Sequence, residues 1–434
     1  MSFDYSNTYI CIYILSWIIV FLRLKKRVKA FGAAHLIVSS YILWSLLSLL
    51  LYNSEFFKED YGELHFLPYV YLFIMILVSL MPTIQYEKEN IQRIQMPSKA
   101  FLQWFFVVYG ICSIVVLPQS LSTIQSGLYS LLYTDSGEDL YLDTLGGHKA
   151  IDYNISFYGL FEMFHKFFSD VAILFFFYYL SLKDKSKNVV IFLTIVILSD
   201  ILISVSKGGR TSFVMIIFSM SIGYFIFRKF WETKTLKFMN KALVILAILI
   251  SIPFMALTIS RFGYRDYSGG TSGNMLRYAG QASLNFNIYA FDSNGIRNGD
   301  RTLNQFKRII GFDVPNGISA TRAKYSSMKI DDSKFITFVG DFVLDFGPVI
   351  ASLIIVLFSL LITRVTRARS HTITFHKLVA VYFAMCVCMH GGMYLFYYSF
   401  ESNWKIFAFY LMYIALLLDY NNQKGKYTYL LRIR

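Results

Sequence analysis

Long apolar runs separated by short polar segments form the main pattern of this chain. Residues 30–52, AFGAAHLIVSSYILWSLLSLLLY, are one such run. Each run reaches roughly the 20 residues that cross a bilayer as an α-helix. The pattern predicts an all-α polytopic membrane protein with about eleven transmembrane helices. They cover residues 5–22, 30–52, 66–86, 100–119, 160–182, 188–206, 211–227, 242–260, 335–363, 378–399 and 403–419.

The composition agrees with this pattern. Of the 434 residues, 56% are hydrophobic and only 16% are charged, whereas a soluble domain has roughly 25% charged residues. A soluble enzyme and a disordered chain are therefore excluded. The start, MSFDYSNT, is acidic and no small-residue cleavage site follows it, so we expect no cleavable signal peptide. The four cysteines all lie in apolar runs, and we expect neither a disulfide nor a metal site from them.

The distribution of basic residues predicts the orientation in the membrane. Of the 41 Lys and Arg residues, 24 lie in six segments on one side: 23–29, 87–99, 183–187, 228–241, 364–377 and the C-terminal tail. The other side holds 17, but eleven of these lie in one long segment, 261–334, and long loops do not follow the positive-inside rule. We therefore expect the N-terminus outside and the C-terminus in the cytoplasm. Loop orientation explains the net charge of +14, and no nucleic-acid partner is expected.

Two outer segments are long enough to carry out chemistry, residues 120–159 and 261–334. The second has eleven basic and six acidic residues, and we expect short helices in it near 274–290 and 301–310. The resulting predicted division has three parts: transmembrane helices 1–8 in residues 1–260, the large outer loop in 261–334, and helices 9–11 with the tail in 335–434.

The connection between the sixth and seventh predicted spans holds the first candidate site. It reads Lys207, Gly208, Gly209 and Arg210, which places two cations on the outer side, against the positive-inside rule. The glycines allow a tight turn with free N–H groups, and a helix N-terminus beside an Arg binds anions. The motif therefore predicts a site for a phosphate-bearing substrate. The alternative is a Lys and an Arg that bind lipid phosphates.

More arginines follow where the eighth predicted span reaches the outer side. Arg261 and Arg265 would share one face of a continued helix, with Tyr264 between them. Guanidinium groups suit diphosphate oxygens better than Lys does, and with Arg210 they give three cations at one depth. Arg277 follows in the same segment and is a further candidate for substrate binding. Ordinary anchoring at the membrane interface is the alternative.

Acidic and titratable groups mark the outer ends of the ninth and tenth spans. Asp341 and Asp345 are four residues apart and so lie on one helix face. Carboxylates in an apolar helix face a cavity or a cation, so they either orient arginines or supply a general base. His390, before two glycines, is the second candidate base, or else a hydrogen-bonded core histidine.

Taken in order, these motifs resemble the Wzy-type O-antigen polymerases, the oligosaccharide repeat-unit polymerases of bacterial envelopes. The resemblance rests on SKGGRT at 206–211 between adjacent spans, a long outer loop that starts near Arg261, and GDFVLDFG at 340–347. It covers the whole chain as topology but only about 20 residues as motifs.

The resemblance implies a GT-C-like fold in the bacterial inner membrane and a glycosyltransferase that faces the periplasm. Donor and acceptor would be glycans on undecaprenyl diphosphate, joined with inversion and without a metal or other cofactor. By position, Arg210, Arg261 and Arg265 map to stabilisation of the diphosphate leaving group. Lys207, Gly208, Gly209, Tyr264, Arg277 and Asp345 would contact substrate. Membrane lipid and a chain-length regulator protein are the further partners it suggests.

Two alternatives stay open. The O-antigen ligases share the spans, the large loop and the arginines, but a ligase would be expected to have a histidine near the end of the large loop, and 261–334 has none. A lipid-linked oligosaccharide flippase or transporter would need twelve or more spans, usually with similar halves, and no internal repeat is visible here.

Overall fold

The structure is a computed structural model that describes residues 4–28, 30–57, 60–133, 157–206, 210–262, 270–315, 317–330, 334–368, 370–397, 401–423 and 430–433. It consists of two compact units, each assembled from separate stretches of the chain. Unit 1 contains Met1–Asn90, Arg265–Arg367 and Phe383–Trp404. Unit 2 contains Ile91–Tyr264, Ala368–Tyr382 and Lys405–Arg434.

The chain is mostly helical. Fifteen α-helices occur in its described part: α1 Ser6–Arg27, α2 Ala33–Tyr52, α3 Phe66–Ser79, α4 Met81–Lys88, α5 Lys99–Tyr133, α6 Phe157–Leu180, α7 Lys187–Ser206, α8 Arg210–Phe227, α9 Thr233–Phe262, α10 Gly270–Asn285, α11 Asn304–Ile309, α12 Gly317–Lys324, α13 Thr337–Thr366, α14 Phe375–His390 and α15 Glu401–Gln423. Three short strands accompany them: β1 Arg93–Gln95, β2 Thr372–Thr374 and β3 Leu430–Arg432.

Four described helices are long and apolar enough to cross a membrane. They are α1, α2, the Lys99–Ser122 part of α5, and α13. The pair α3 and α4, bent by 43° at a short break, makes a fifth if the pair is one span. These helices show the features of an all-α membrane protein. Helices also occupy the other six predicted segments.

Two elements differ from the predicted boundaries. Helix α5 continues from the fourth span through Tyr133 and so includes the beginning of the outer segment predicted at 120–159. Helix α14 ends at His390, whereas the pattern predicted a span to residue 399. The cause lies in Gly391 and Gly392, because a Cβ atom at Gly392 would lie 1.9 Å from the Trp44 ring. The chain leaves the helix there to make a close approach that only glycine permits.

Unit 1 packs α10 directly on α2 through small residues. The hydroxyl of Ser48 donates to the carbonyl of Gly280 at 2.6 Å and lies 2.9 Å from the hydroxyl of Ser283. A Cβ atom at position 280 would lie only 2.6 Å from the carbonyl oxygen of Leu47. Close backbone approach through small residues is typical of helix pairs in membranes. It fixes the start of the large predicted loop against a membrane helix.

Helix α13 is broken at Gly347, which has φ of 75° and ψ of 164°. Pro348 has no N–H to donate to the carbonyl of Leu344, and the turn at Gly347 also exposes the carbonyl of Asp345. The backbone of a separate segment satisfies both groups: the N–H of Arg297 donates to Leu344 at 2.8 Å and that of Gly299 to Asp345 at 3.2 Å. The break therefore joins residues 297–299 to the helix.

Unit 2 contains an aromatic core and a small sheet. The ring of Phe175 stacks on Phe105 with centroids 4.5 Å apart and contacts Phe375 at 5.1 Å. The sheet has the order β2-β1-β3, with β1 parallel to β2 and antiparallel to β3. Its strands come from two basic loops and the C-terminal tail, which the charge pattern assigns to one side of the membrane. The pairing of these strands agrees with that assignment.

Candidate functional site

A buried cluster of arginines and carboxylates lies at the broken helix α13. Arg297 and Arg301 are each 3% exposed, Asp341 is 2% exposed, and Asp345 is fully buried. The Nε atom of Arg297 lies 2.7 Å from an Asp345 oxygen, and its guanidinium also approaches the Asp341 carboxylate at 3.9 Å. Asp341 and Asp345 thus share one helix face, and their partner is an arginine of the large predicted loop.

The remaining carboxylate oxygens are occupied by other donors. The second oxygen of Asp345 accepts hydrogen bonds from the N–H of Thr302, at 2.6 Å, and from the Thr302 hydroxyl. The second oxygen of Asp341 accepts from the N–H of Leu395 at 2.7 Å. Asp345 is thereby held in one orientation by several donors, whereas Asp341 accepts one hydrogen bond, from Leu395, and lies farther from the guanidinium. Both acids face Arg297, as an orienting role requires, and the role of Asp341 as a general base stays a prediction.

Arg301 adds a second cation to the cluster, because it interacts electrostatically with Asp341. Two guanidinium groups therefore face two carboxylates within a region of very low exposure. Their charges balance, as buried charges in proteins usually require. Arg297 and Arg301 lie in an irregular stretch, where no helical or strand periodicity distinguishes them from the other basic residues of the segment.

Asp300, in the same segment, is a buried carboxylate with three donors. Its carboxylate accepts hydrogen bonds from Lys307, from Lys324 at 2.7 Å and from the Tyr325 hydroxyl at 2.5 Å. Burial alone would raise the pKa of Asp300, but these three donors outweigh burial and hold the pKa below its usual value. Burial, together with the hydrogen bond to Asp300, raises the pKa of Tyr325. One carboxylate thus connects α11, α12 and the turn that precedes them.

Asn403, at the start of α15, also hydrogen-bonds this segment. Its side-chain oxygen accepts from the N–H of Gln305 at 3.1 Å, and its amide donates to the carbonyls of Thr302 and Tyr397. Asn403 is fully buried. Residues 297–308 are therefore fixed by backbone, carboxylate and amide contacts, although much of this stretch has no regular secondary structure.

Other predicted site residues of unit 1 lie in different surroundings. Arg277 is about half exposed; it lies 3.4 Å from the carboxylate of Asp60 and over the ring of Phe57. His390 is 1% exposed and packs on the rings of Phe396 and Tyr397 at 5.3 and 5.9 Å. Arg277 is thus a surface cation of α10, and His390 is a buried imidazole at the end of α14.

The remaining predicted residues are only partly covered by the structure. Arg210 begins α8 and Arg261 lies in the last turn of α9, but their side chains are outside the described part. Lys207, Gly208, Gly209, Tyr264 and Arg265 also lie outside the described residues. The expected grouping of Arg210, Arg261 and Arg265 stays a prediction.

The described site is suited to holding charge in fixed positions. Among the described residues, no group of three or more His, Cys, Asp or Glu side chains has a metal-binding arrangement. Cations that are already oriented need no reorganisation when negative charge develops nearby. The cluster thus fixes a basic segment next to a membrane helix.

No family model, no curated protein and no solved structure matches this chain.

Proposed function

We propose that this protein polymerises oligosaccharide repeat units linked to undecaprenyl diphosphate, at the periplasmic face of the bacterial inner membrane. The product is O-antigen or a related surface polysaccharide. The proposal includes about eleven spans in a GT-C-like arrangement. It rests on the resemblance in sequence and on the character of the segment between α10 and α13.

The observation that carries the proposal is that this cationic segment is a fixed body. A flexible loop would supply a diffuse positive charge. Here Arg297 and Arg301 are buried against carboxylates, and α11 is held by Asn403. Because its own charges balance, this cluster positions the segment, and the charge of a departing diphosphate would be stabilised by Arg210, Arg261 and Arg265.

In the proposed reaction, a sugar hydroxyl of the acceptor attacks the anomeric carbon of the donor glycan. The bond from that carbon to the diphosphate oxygen breaks, and undecaprenyl diphosphate leaves. Arg210, Arg261 and Arg265 stabilise the leaving diphosphate. Asp341 orients Arg297. The base that accepts the proton of the acceptor hydroxyl is Asp341 or His390.

Purified protein is expected to polymerise its substrate in the presence of excess chelator. The assay uses undecaprenyl-diphosphate-linked repeat units and measures glycan length together with released undecaprenyl diphosphate. Activity that disappears in chelator and returns with magnesium or manganese would reject the metal-independent mechanism. Transfer to lipid A core alone would indicate a ligase, and movement of the lipid-linked glycan across a vesicle without a new glycosidic bond would indicate a flippase.

Cysteine labelling is expected to place residue 312 in the periplasm and residue 234 in the cytoplasm. Phe312 is 59% exposed and Lys234 is exposed, whereas position 300 in the same segment is buried and unsuitable. The exposed Cys11 is first replaced with serine. In spheroplasts, an impermeant maleimide should label Phe312→Cys but not Lys234→Cys, and both after lysis. The reverse pattern before lysis contradicts the orientation.

A further inference from the structure

A chain of three hydrogen-bonding side chains crosses the helices of unit 2. The Ser113 hydroxyl on α5 lies 3.0 Å from Nδ1 of His165 on α6. Nε2 of His165 lies 2.9 Å from a carboxylate oxygen of Asp200 on α7. Ser113 and His165 are 4% and 5% exposed, while the side chain of Asp200 is 22% exposed. The more accessible end of the chain is therefore the carboxylate.

The hydroxyl of Ser113 has two acceptors within reach. It lies 2.8 Å from the carbonyl oxygen of Tyr109, one helical turn earlier, as well as 3.0 Å from the imidazole. A hydroxyl carries one hydrogen and rotates freely to either acceptor. The same heavy-atom positions therefore satisfy two different arrangements of protons.

In the first arrangement, Ser113 donates to Nδ1 of a neutral His165, and Nε2–H donates to Asp200. In the second, the imidazole carries a proton on both nitrogens, Nδ1–H donates to the Ser113 oxygen, and the hydroxyl turns to the Tyr109 carbonyl. Each polar hydrogen has an acceptor in both arrangements, so neither leaves an unsatisfied buried donor.

Among the described residues, the charged side chains near these three groups are paired with one another. On α6, Lys166 lies 2.8 Å from Glu162. On α15, Lys405 lies 3.1 Å from Asp170 of α6. On α5, the neighbouring titratable side chains are Tyr109, whose ring stacks on His165 at 5.4 Å, and Cys112. Asp200 on α7 is thus the carboxylate that faces the imidazole, and a charge on His165 would compensate it.

We propose that Ser113, His165 and Asp200 form a reversible proton-binding site inside unit 2, separate from the arginine cluster. Binding takes one proton from water and forms one N–H bond at the Nδ1 lone pair. No other covalent bond breaks, and the charge of the site changes from −1 to zero. Ionisable groups within apolar helices are rare and usually have a functional role. The inference does not depend on the proposed transferase activity.

Nitrogen NMR of histidine in the purified full-length protein tests this site directly. The protein is labelled with ¹⁵N-histidine, and the His165 signals are identified by their loss in His165→Gln. The expected result is an Nε2–H tautomer at high pH that converts to an imidazolium between about pH 4 and pH 9. An Nδ1–H tautomer, or no change of state over that range, overturns the proposal.

A matched pair of serine variants tests the hydroxyl switch. Ser120 is another buried serine of α5, and its hydroxyl donates to the Val116 carbonyl one turn earlier, in the same geometry as Ser113. Ser113→Ala is expected to shift the Nδ1 signal of His165, because Ser113 is the side chain that hydrogen-bonds this nitrogen. Ser120→Ala should leave that signal unchanged. Equal Nδ1 signals in the two variants overturn the proposed role of Ser113.

Discussion

Replacing Arg210 with alanine is expected to lower polymerisation about 100- to 1000-fold, the usual cost of removing one donor that stabilises developing charge. Arg210 begins α8 directly after two glycines, and in the proposed mechanism its guanidinium stabilises the leaving diphosphate. Arg210→Lys should recover little, because an ammonium group lacks the two-pronged geometry that matches phosphate oxygens. The measurement is the rate of glycan elongation by purified protein.

The control for this experiment is Arg93→Ala. Arg93 is an exposed arginine of β1, on a loop that the charge pattern places on the opposite side of the membrane. Its replacement removes the same group without touching the proposed site. Protein levels of both variants should equal the wild-type level in membranes. If Arg210→Ala elongates glycans at the wild-type rate, Arg210 does not stabilise the leaving group. That result would leave the polymerase activity itself unaffected.

Arg297→Ala is expected to destabilise unit 1 by about 3–5 kcal/mol, the typical cost of removing one partner from a buried ion pair. Asp345 is fully buried and would lose the guanidinium at 2.7 Å, while Asp341 would lose the same guanidinium at 3.9 Å. The measurement is thermal or denaturant unfolding of the purified protein in one detergent. The loss of stability in the double variant Arg297→Met/Asp345→Leu should be much smaller, because this variant leaves no uncompensated charge buried.

Arg277→Ala supplies the matched control for stability. Arg277 pairs with Asp60 at 3.4 Å, but both side chains are about half exposed. Solvent-exposed pairs contribute about 0–1 kcal/mol, so this variant should unfold close to the wild type. If Arg297→Ala were equally mild, the buried cluster would not be what holds residues 297–308 in place.

The sequence was sufficient to place Asp341 and Asp345 on one helix face, because a spacing of four residues decides that from helix geometry alone. It could not identify their partner. Arg297 lies in a stretch without periodicity, more than 40 residues earlier, and reaches the helix only through the break at Gly347. The Gly-Pro pair is visible in the sequence. The sequence does not show that amides of another segment hydrogen-bond the carbonyls that the break leaves unpaired.

The partners of His165 in unit 2 were also not predictable from the sequence. From the sequence, Glu162 is its only charged neighbour at helical spacing on the preceding turn. The structure pairs Glu162 with Lys166 instead, and His165 with side chains of two other helices. Local spacing describes contacts along one helix. Contacts between helices depend on how the helices cross, and the spacing of residues in one sequence does not predict that geometry.

The capping of the broken helix by main-chain amides adds chain register to the features that must be preserved at residues 297–299. The N–H groups of Arg297 and Gly299 donate to the carbonyls of Leu344 and Asp345. A deletion of one residue between them would shift one amide away from its carbonyl and leave a buried acceptor unpaired. Insertion scanning should therefore find a sharp intolerance here, in contrast to Gly311, where a Cβ atom would meet nothing within 4 Å.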